Sequence, residues 1–434
     1  MRNPKFSYDF ISLCSISRLL ISSLFTSYSF FQQLPPSFSV KMEKFVISWT
    51  KKVSNYIPDD LALPILSKLS LKSLNRFRCV RKSWSTLFEN PSFISLFRNI
   101  FLSNNHSYYE HTSLFLHQVV TDDRSVLYSL SGERFENGIK LDWPNPFQEM
   151  EPKFVISGSG SINGILCLIN YSQPNTRVVL WNPTTQEFKV IPTSPFEFVP
   201  HMDVDILRHG FDCDCVTDDY KIIRQVVCYQ KLDIDVLSLG NIDDDQFWEI
   251  YSLHSNSWTK LEYDIPLNHK ENGVFLDGMV HWWNESDDGD DEAYLLSFDL
   301  STEEFVTTLA PLEDDSFDLG FVLSDLMVLN GSLALILNYL NHFNLGTFQI
   351  SILGEFGVKE SWFKLFIFRP LSIIVYPLGA GGKGNIFFTN EDGQLIFFSL
   401  STKMVEEFSF VRGKFSGKIL TYKESFLPIG EINQ

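Results

Sequence analysis

The sequence predicts an α+β multidomain chain. A small all-α module spans residues 57–97, and an all-β, propeller-like domain spans residues 98–430, with a β-sandwich as the alternative. Three observations carry this prediction. Charge is divided: residues 1–100 hold 14 Lys/Arg against 5 Asp/Glu, whereas residues 101–434 hold 21 against 48, so a net of +9 faces a net of −27. Apolar residues recur at helical spacing from Leu61 to Phe101. Beyond residue 110, short alternating runs bounded by turn residues take over, and one eight-residue window returns.

With 434 residues and 44% hydrophobic content the chain can bury two or three domain cores, which excludes wholesale disorder, a collagen-like chain or a coiled coil. A body of net −27 repels phosphate backbones, and the basic part has no run of five Lys/Arg, so no nucleic-acid partner is expected. Cys14, Cys79, Cys167, Cys213, Cys215 and Cys228 are too few for a disulfide scaffold. A reduced intracellular compartment is expected, cytoplasmic and/or nuclear.

Residues 1–41 read as a leader and 42–56 as a linker. The stretch 10–31 is apolar and Ser-rich, with Asp9 the single acid before Lys41. Arg18 and the many serines make it a poor membrane span, so no membrane partner is expected. A targeting peptide fits the scarcity of acids but lacks a small-x-small cleavage site. The third reading is a disordered extension ahead of a start at Met42.

The helical module begins at Pro58, which needs no amide partner in a first turn, followed by Asp59 and Asp60, which suit the positive helix end. Leu61, Ile65, Leu66 and Leu69 form one apolar stripe, interrupted by Pro64, which kinks or delays the helix. Further stripes run Leu71, Leu74, Phe77, Val80 and Val80, Trp84, Leu87, Phe88. After Asn90-Pro91, Phe93, Leu96, Phe97, Ile100 and Phe101 keep helical spacing. So few residues cannot bury these faces against one another, so the module is either a cap on the next domain or a docking surface for a partner.

The residues resemble the F-box. Ile57-Pro58-Asp59-Asp60, Ile65-Leu66-Ser67-Lys68-Leu69, Ser73-Leu74-Asn75-Arg76-Phe77-Arg78-Cys79-Val80-Arg81-Lys82-Ser83-Trp84 and Asn90-Pro91-Ser92-Phe93 follow its pattern in register. Pro64 inside the first helix and Ser70, where the family usually has Pro, depart from it. The resemblance implies docking to a Skp-type adaptor, which bridges to a cullin–RING ubiquitin ligase. Pro58, Leu61, Ile65, Leu66 and Leu69 would lie at the adaptor contact, and Leu74, Phe77, Val80, Trp84 and Phe93 would form the module's own core.

In the acidic body the window occurs at Tyr128–Phe135, Trp181–Phe188, Tyr251–Trp258, Phe298–Phe305 and Phe398–Val405, with a degenerate copy near Phe348–Trp362. Each copy ends a strand-like run in an aromatic, crosses a polar turn and re-enters on an apolar residue. Asn163-Gly164, Asp277-Gly278, Asn330-Gly331 and Asp392-Gly393 read as type I′ hairpin turns, because both central residues need positive φ. Two hairpins per unit make four strands, and five to six such units make a propeller.

Asn163–Leu168 (NGILCL), Leu180–Thr185 (LWNPTT), Gly210-Phe211-Asp212 with Thr217–Ile223 (TDDYKII), and Gly278–Trp282 (GMVHW) look like the F-box-associated domain of plant F-box proteins. This group is often labelled F-box/kelch-repeat and includes pollen S-locus F-box proteins. True kelch repeats carry a Gly-Gly pair in each blade, and here only Gly381-Gly382 qualifies. The resemblance implies that the body binds the protein to be ubiquitinated, whose identity the residues do not reveal.

No chemistry is nominated: no cofactor, metal or catalytic residue is expected. The stretch 379–385 (GAGGKGN) lacks a Ser/Thr after Lys383 and reads as a strand-connecting loop rather than a phosphate loop. His209, Cys213, Cys215 and Cys228 lack a Cys-x-x-Cys pair. The run 285–292 (ESDDGDDE) lacks calcium-loop spacing and reads as a solvated loop. An enzyme on a propeller, or a carbohydrate or peptide reader without a ligase, are the rival functions.

Overall fold

The computed structural model describes residues 59–430, apart from internal segments of which 104–111, 145–153, 231–244, 285–292 and 312–320 are the longest. The leader, the linker, Ile57, Pro58 and the acidic run 285–292 lie outside the described residues. The chain divides into two compact units, residues 1–66 and 67–434. In the first, α1 (Asp59–Leu66) carries Pro64 within it. The second begins with α2 (Leu71–Phe77), α3 (Lys82–Ser85) and α4 (Pro91–Ser103).

Six sheets follow α4. Blade 1 holds β1 (Thr112–Thr121), β2 (Arg124–Ser131) and β3 (Asn137–Leu141), and blade 2 holds β4 (Val155–Ile156), β5 (Leu166–Asn170), β6 (Arg177–Asn182) and β7 (Glu187–Val190). Blade 3 is β8 (Met202–Asp214), β9 (Asp219–Gln230), β10 (Asp245–Ser252) and β11 (Ser257–Leu261), with β12 (Glu271–Asn272) beside β8. Blade 4 is β13 (Val274–Leu276), β14 (Met279–Asn284), β15 (Tyr294–Asp299) and β16 (Glu304–Leu309). Blade 5 is β17 (Phe321–Leu329), β18 (Ser332–Leu340), β19 (Gly346–Leu353) and β20 (Trp362–Phe368). Blade 6 is β21 (Ile374–Gly381), β22 (Asn385–Asn390), β23 (Leu395–Ser399) and β24 (Met404–Glu407). The last strand, β25 (Gly417–Lys423), returns to blade 1 as its first strand, pairing with β1 from Thr112↔Lys423 to Gln118↔Gly417.

This is a six-bladed β-propeller and not a β-sandwich. Its sheets are sequential antiparallel meanders, whereas a sandwich needs two sheets joined by crossing connections. The core lies in the seams between blades. Trp248 and Trp282, fully buried, meet at 5.2 Å between blades 3 and 4, and Phe368 of blade 5 stacks on Phe398 of blade 6 at 4.2 Å.

In four blades the repeated window is the turn between the third and fourth strands; in blade 1 Tyr128 pairs with Lys140 instead of Phe135, because the loop there is longer. Trp181↔Phe188, Tyr251↔Trp258, Phe298↔Phe305 and Phe398↔Val405 are cross-strand pairs. Position six of each of these windows, Gln186, Asn256, Glu303 and Lys403, has a positive φ. In blade 5 the closing pair is Leu353↔Trp362, so the longer loop there, and not Phe348, marks the turn. Asn163-Gly164, Asp277-Gly278 and Asn330-Gly331 have positive φ at both residues, as type I′ turns require. Asp392-Gly393 differs: only Gly393 has positive φ, because Glu391 lengthens that loop by one residue.

Two glycines mark close approaches. A Cβ at Gly210 would lie 2.4 Å from Val280 Cγ1 across the seam between blades 3 and 4. One at Gly379 would lie 2.0 Å from the Ile419 carbonyl oxygen on β25. The GAGGKGN stretch is therefore in part strand β21, running to Gly381, and not purely a connecting loop. Its glycine serves contact between backbones.

A buried ion cluster ties the connection between blades 2 and 3 to blade 3. Arg224, 1% exposed, donates from Nε to Glu249 Oε1 at 2.6 Å, pairs with Glu197, and lies 4.0 Å over the Trp258 ring. Ser194 Oγ donates to the other Glu249 oxygen at 2.5 Å. Removing one partner strands the others without water, so Arg224→Met should lower stability by about 3–5 kcal/mol in urea denaturation.

Candidate functional site

Two faces of the ring follow from the meander. First-to-second and third-to-fourth strand connections lie on one face, and second-to-third and blade-to-blade connections lie on the other. β25 ends and β1 begins on the first face, at the pair Thr112↔Lys423. α4 meets the propeller on that face.

Helix α4 starts where the sequence dictates. Asn90 is its N-cap, with Oδ1 accepting from Ser92 N at 3.0 Å and Phe93 N at 3.3 Å, and Pro91 occupies the first turn, where its missing N–H costs nothing. Phe93, Phe97 and Phe101, four residues apart, stack successively at 6.2 and 5.9 Å. The boundary expected after Phe97 thus falls inside a helix that runs to Ser103.

Aromatic, cation–ring and ionic contacts hold α4 to the first face. Phe97 lies 6.3 Å from Phe426, Lys423 Nζ sits 4.1 Å over the Phe101 ring, and Arg98 pairs with Asp218 in the turn between β8 and β9. Burial pulls the Lys423 pKa down.

The Asp218 turn also fastens blade 3 to blade 4. Asp214 accepts from Thr217 Oγ1 at 2.6 Å and from Ser301 Oγ of blade 4 at 2.7 Å. Lys221 Nζ reaches Asp214 at 3.1 Å, Glu303 at 3.0 Å and the Leu300 carbonyl at 2.7 Å. Burial alone would raise the Asp214 pKa, but the hydroxyl donors of Thr217 and Ser301 outweigh it and hold the carboxyl well below the usual range. Asp212, two residues away, is the opposite case. Burial pushes its pKa up to about 7 despite hydrogen bonds from Cys213 N and Gly278 N.

The expected adaptor and core residues are arranged as follows. Leu66 is buried, and Leu61, Ile65 and Leu69 are half-buried. Leu74, Trp84 and Phe93 are buried, and Phe77 meets Trp84 edge-on at 6.2 Å. Val80 stands apart from that core, 38% exposed, because Cys79 N and Val80 N bond back to Arg76 O and Phe77 O in a turn that lifts it off the helical stripe. Among the described residues no three His, Cys, Asp or Glu side chains converge as metal ligands. His209 and Cys228 are buried in the blade 3 strands, and Cys215 Sγ points to the Cys213 carbonyl at 3.6 Å.

Sequence reasoning assigned no role to Asn182, although the Trp-Asn-Pro-Thr-Thr motif contains it. Fully buried, it accepts from Thr184 N at 3.0 Å and donates to the Ser425 and Leu427 carbonyls at 3.0 and 3.2 Å. It thereby ties the segment after β25 to blade 2. Its motif context was the available signal.

Two outcomes follow from this geometry. Arg98→Glu should speed amide exchange in residues 91–103, and adding Asp218→Arg should restore protection, measured by hydrogen-exchange mass spectrometry. For Asp212, the folded protein holds a proton between about pH 4 and 7 that the unfolded chain releases, so its contribution to stability falls as pH rises through that window. The wild-type minus Asp212→Asn difference in urea midpoint should therefore decline from pH 5 to pH 8; a constant difference would contradict the assignment.

Residues 116–421 match the F-box associated beta propeller domain family. F-box protein CPR1 of Arabidopsis thaliana is 25% identical over 376 residues, covering 80% of this chain and 83% of that protein. F-box/kelch-repeat protein At3g23880 of the same plant is 24% identical, covering 74% and 82%. A third Arabidopsis relative, At3g16210, is 27% identical over 261 residues, and the chain spans 60% of its length. A helical segment clamped to a six-bladed ring, with the ring matched from its first blade to its closing strand, settles the family: the chain belongs to the F-box associated beta propeller domain family.

Proposed function

We propose that the chain is the substrate-recognition subunit of a Skp–cullin–F-box ubiquitin ligase. The helical residues 57–97 dock the adaptor, and the propeller binds the protein to be ubiquitinated. The observation that carries this reading is the attachment of α4 to one face of the propeller, which leaves the opposite rim for the target. At that rim end the second strands of the blades, such as β9, β14 and β18, and recognition residues concentrate at strand ends over a rigid scaffold.

The chain's own contribution is proximity. Tethering a target beside the ligase raises the effective concentration of its lysines near the charged ubiquitin enzyme. Three cysteines of the propeller are poorly placed for nucleophilic chemistry: burial raises the pKa of Cys167, pushes Cys213 up to about 12 and raises Cys215, which keeps these three as thiols at neutral pH.

The test uses half-buried positions, because an aspartate at buried Leu66 would damage folding as well as docking. Leu61→Asp with Leu69→Asp should abolish co-purification of a Skp-type adaptor and cullin while leaving the thermal unfolding of the propeller unchanged. Retained adaptor binding sinks the docking assignment. Absence of adaptor from the wild-type purification favours a binding module that works without a ligase.

A further inference from the structure

Residues 424–430 follow β25 and cross the first face from blade 1 to blade 2. Leu427 and Ile429 are 3% and 8% exposed, and Ile429 joins the core shared by blades 2 and 3. Ser425, fully buried, bends the segment, since its Oγ accepts from Leu427 N at 3.0 Å. A segment outside every sheet is thus fastened to the ring by two apolar side chains and by its own carbonyls.

Two motif positions in blade 2 are shaped to receive it. A Cβ at Gly164 would lie 2.4 Å from Ser425 Cβ, whereas at Gly278, the matching hairpin glycine of blade 4, the nearest atom is 3.5 Å away. Asn182 serves both the turn and the segment. Its Oδ1 accepts from Thr184 N at 3.0 Å, closing the turn, while Nδ2 donates to the Ser425 and Leu427 carbonyls. In the windows of blades 3, 4 and 6 the same position is Ser252, Asp299 and Ser399, and each accepts an amide of its own turn. An asparagine alone among these adds two N–H donors to that acceptor.

Helix α4 rests on this segment. Phe97 meets Phe426 at 6.3 Å, and Lys423, at the segment's root, donates to the Phe101 carbonyl at 3.4 Å and lies 4.1 Å over its ring. The Arg98–Asp218 pair reaches the ring directly, but a partly exposed pair holds little alone. The β1–β25 pairing ends at Lys423, so the ring is already closed where the segment begins.

We infer that residues 424–430 are a strap that seats α4 on the ring, with Asn182 as its clasp: opening the clasp frees α4 while the propeller stays closed. Asn182 is a positioning residue in this device, acting on α4 through the strap. The strap stands or falls independently of the ligase reading.

The test compares hydrogen exchange, by mass spectrometry, in the wild type, a variant with a stop after Lys423, Asn182→Asp, and the two combined. Aspartate keeps the acceptor that closes the turn but has no N–H for the strap. The stop should speed exchange in residues 91–103 about tenfold or more, and Asn182→Asp severalfold. The combination should exchange no faster than the stop alone, because the clasp acts only through the strap. Exchange in β1 and β2 should stay at the wild-type rate throughout. Phe426→Ala, which removes only the ring facing α4, should speed residues 91–103 severalfold with the strap still clasped, and it serves where the stop variant fails to fold. Unchanged exchange in residues 91–103 in the stop variant or in Phe426→Ala overturns the inference. So do additive effects of the stop and Asn182→Asp, which would give Asn182 a role outside the strap. Loss of protection in β1 together with α4 also overturns it, since the segment would then belong to the ring closure.

Discussion

Everything in the propeller depends on one pairing, β25 with β1. A ring of sheets has no cohesion of its own at the join; it is held there because a strand from the end of the chain supplies the first position of the first blade. Around that pairing the remaining fastenings collect. Tyr422 stacks on Phe115 at 4.3 Å, Asn182 takes the carbonyls just beyond the strand, and Gly379 lets blade 6 close against Ile419. The motifs that first looked like scattered sequence features are largely the hardware of this closure and of the seams beside it.

Near the same join, α4 lays Arg98, one of the excess cations of the first hundred residues, against Asp218 of the acidic body. Surface pairs of this kind contribute little energy alone, but here an aromatic contact and a cation over a ring stand beside the pair. Asp218 belongs to a turn that is already fixed by Asp214, Lys221 and Ser301, so the helix is held to a rigid part of the ring.

Much of this architecture could be read from residues alone, for a physical reason. Turns need particular backbone conformations, and those conformations restrict the residues, so Asn163-Gly164 or Trp181–Phe188 announce hairpins locally. Counting such turns gives five to six blades, and the structure has six. What could not be read was whatever joins distant positions: the partner of β1 lies about 300 residues away, and nothing in Thr112–Thr121 specifies it. Asp212 and Asn182 sat inside recognised motifs, yet their roles depend on Gly278 and on Ser425 and Leu427, which only the fold brings near. Val80 fell off its predicted stripe because a turn between helices shifts the phase, and the periodicity of either flank cannot reveal that.

The closure also has a consequence in time. During synthesis β1 leaves the ribosome about 300 residues before its partner β25, which at about 5–20 residues per second is a wait of about 15–60 s. Throughout that interval the first blade has an open edge, and Leu114 and Leu116, buried in the finished ring, lack the strand that covers them. The chain thus spends its synthesis as an unfinished sheet with an adhesive margin, exposed for longer the slower it is translated. A premature stop anywhere before Gly417, however late, leaves that margin permanently open.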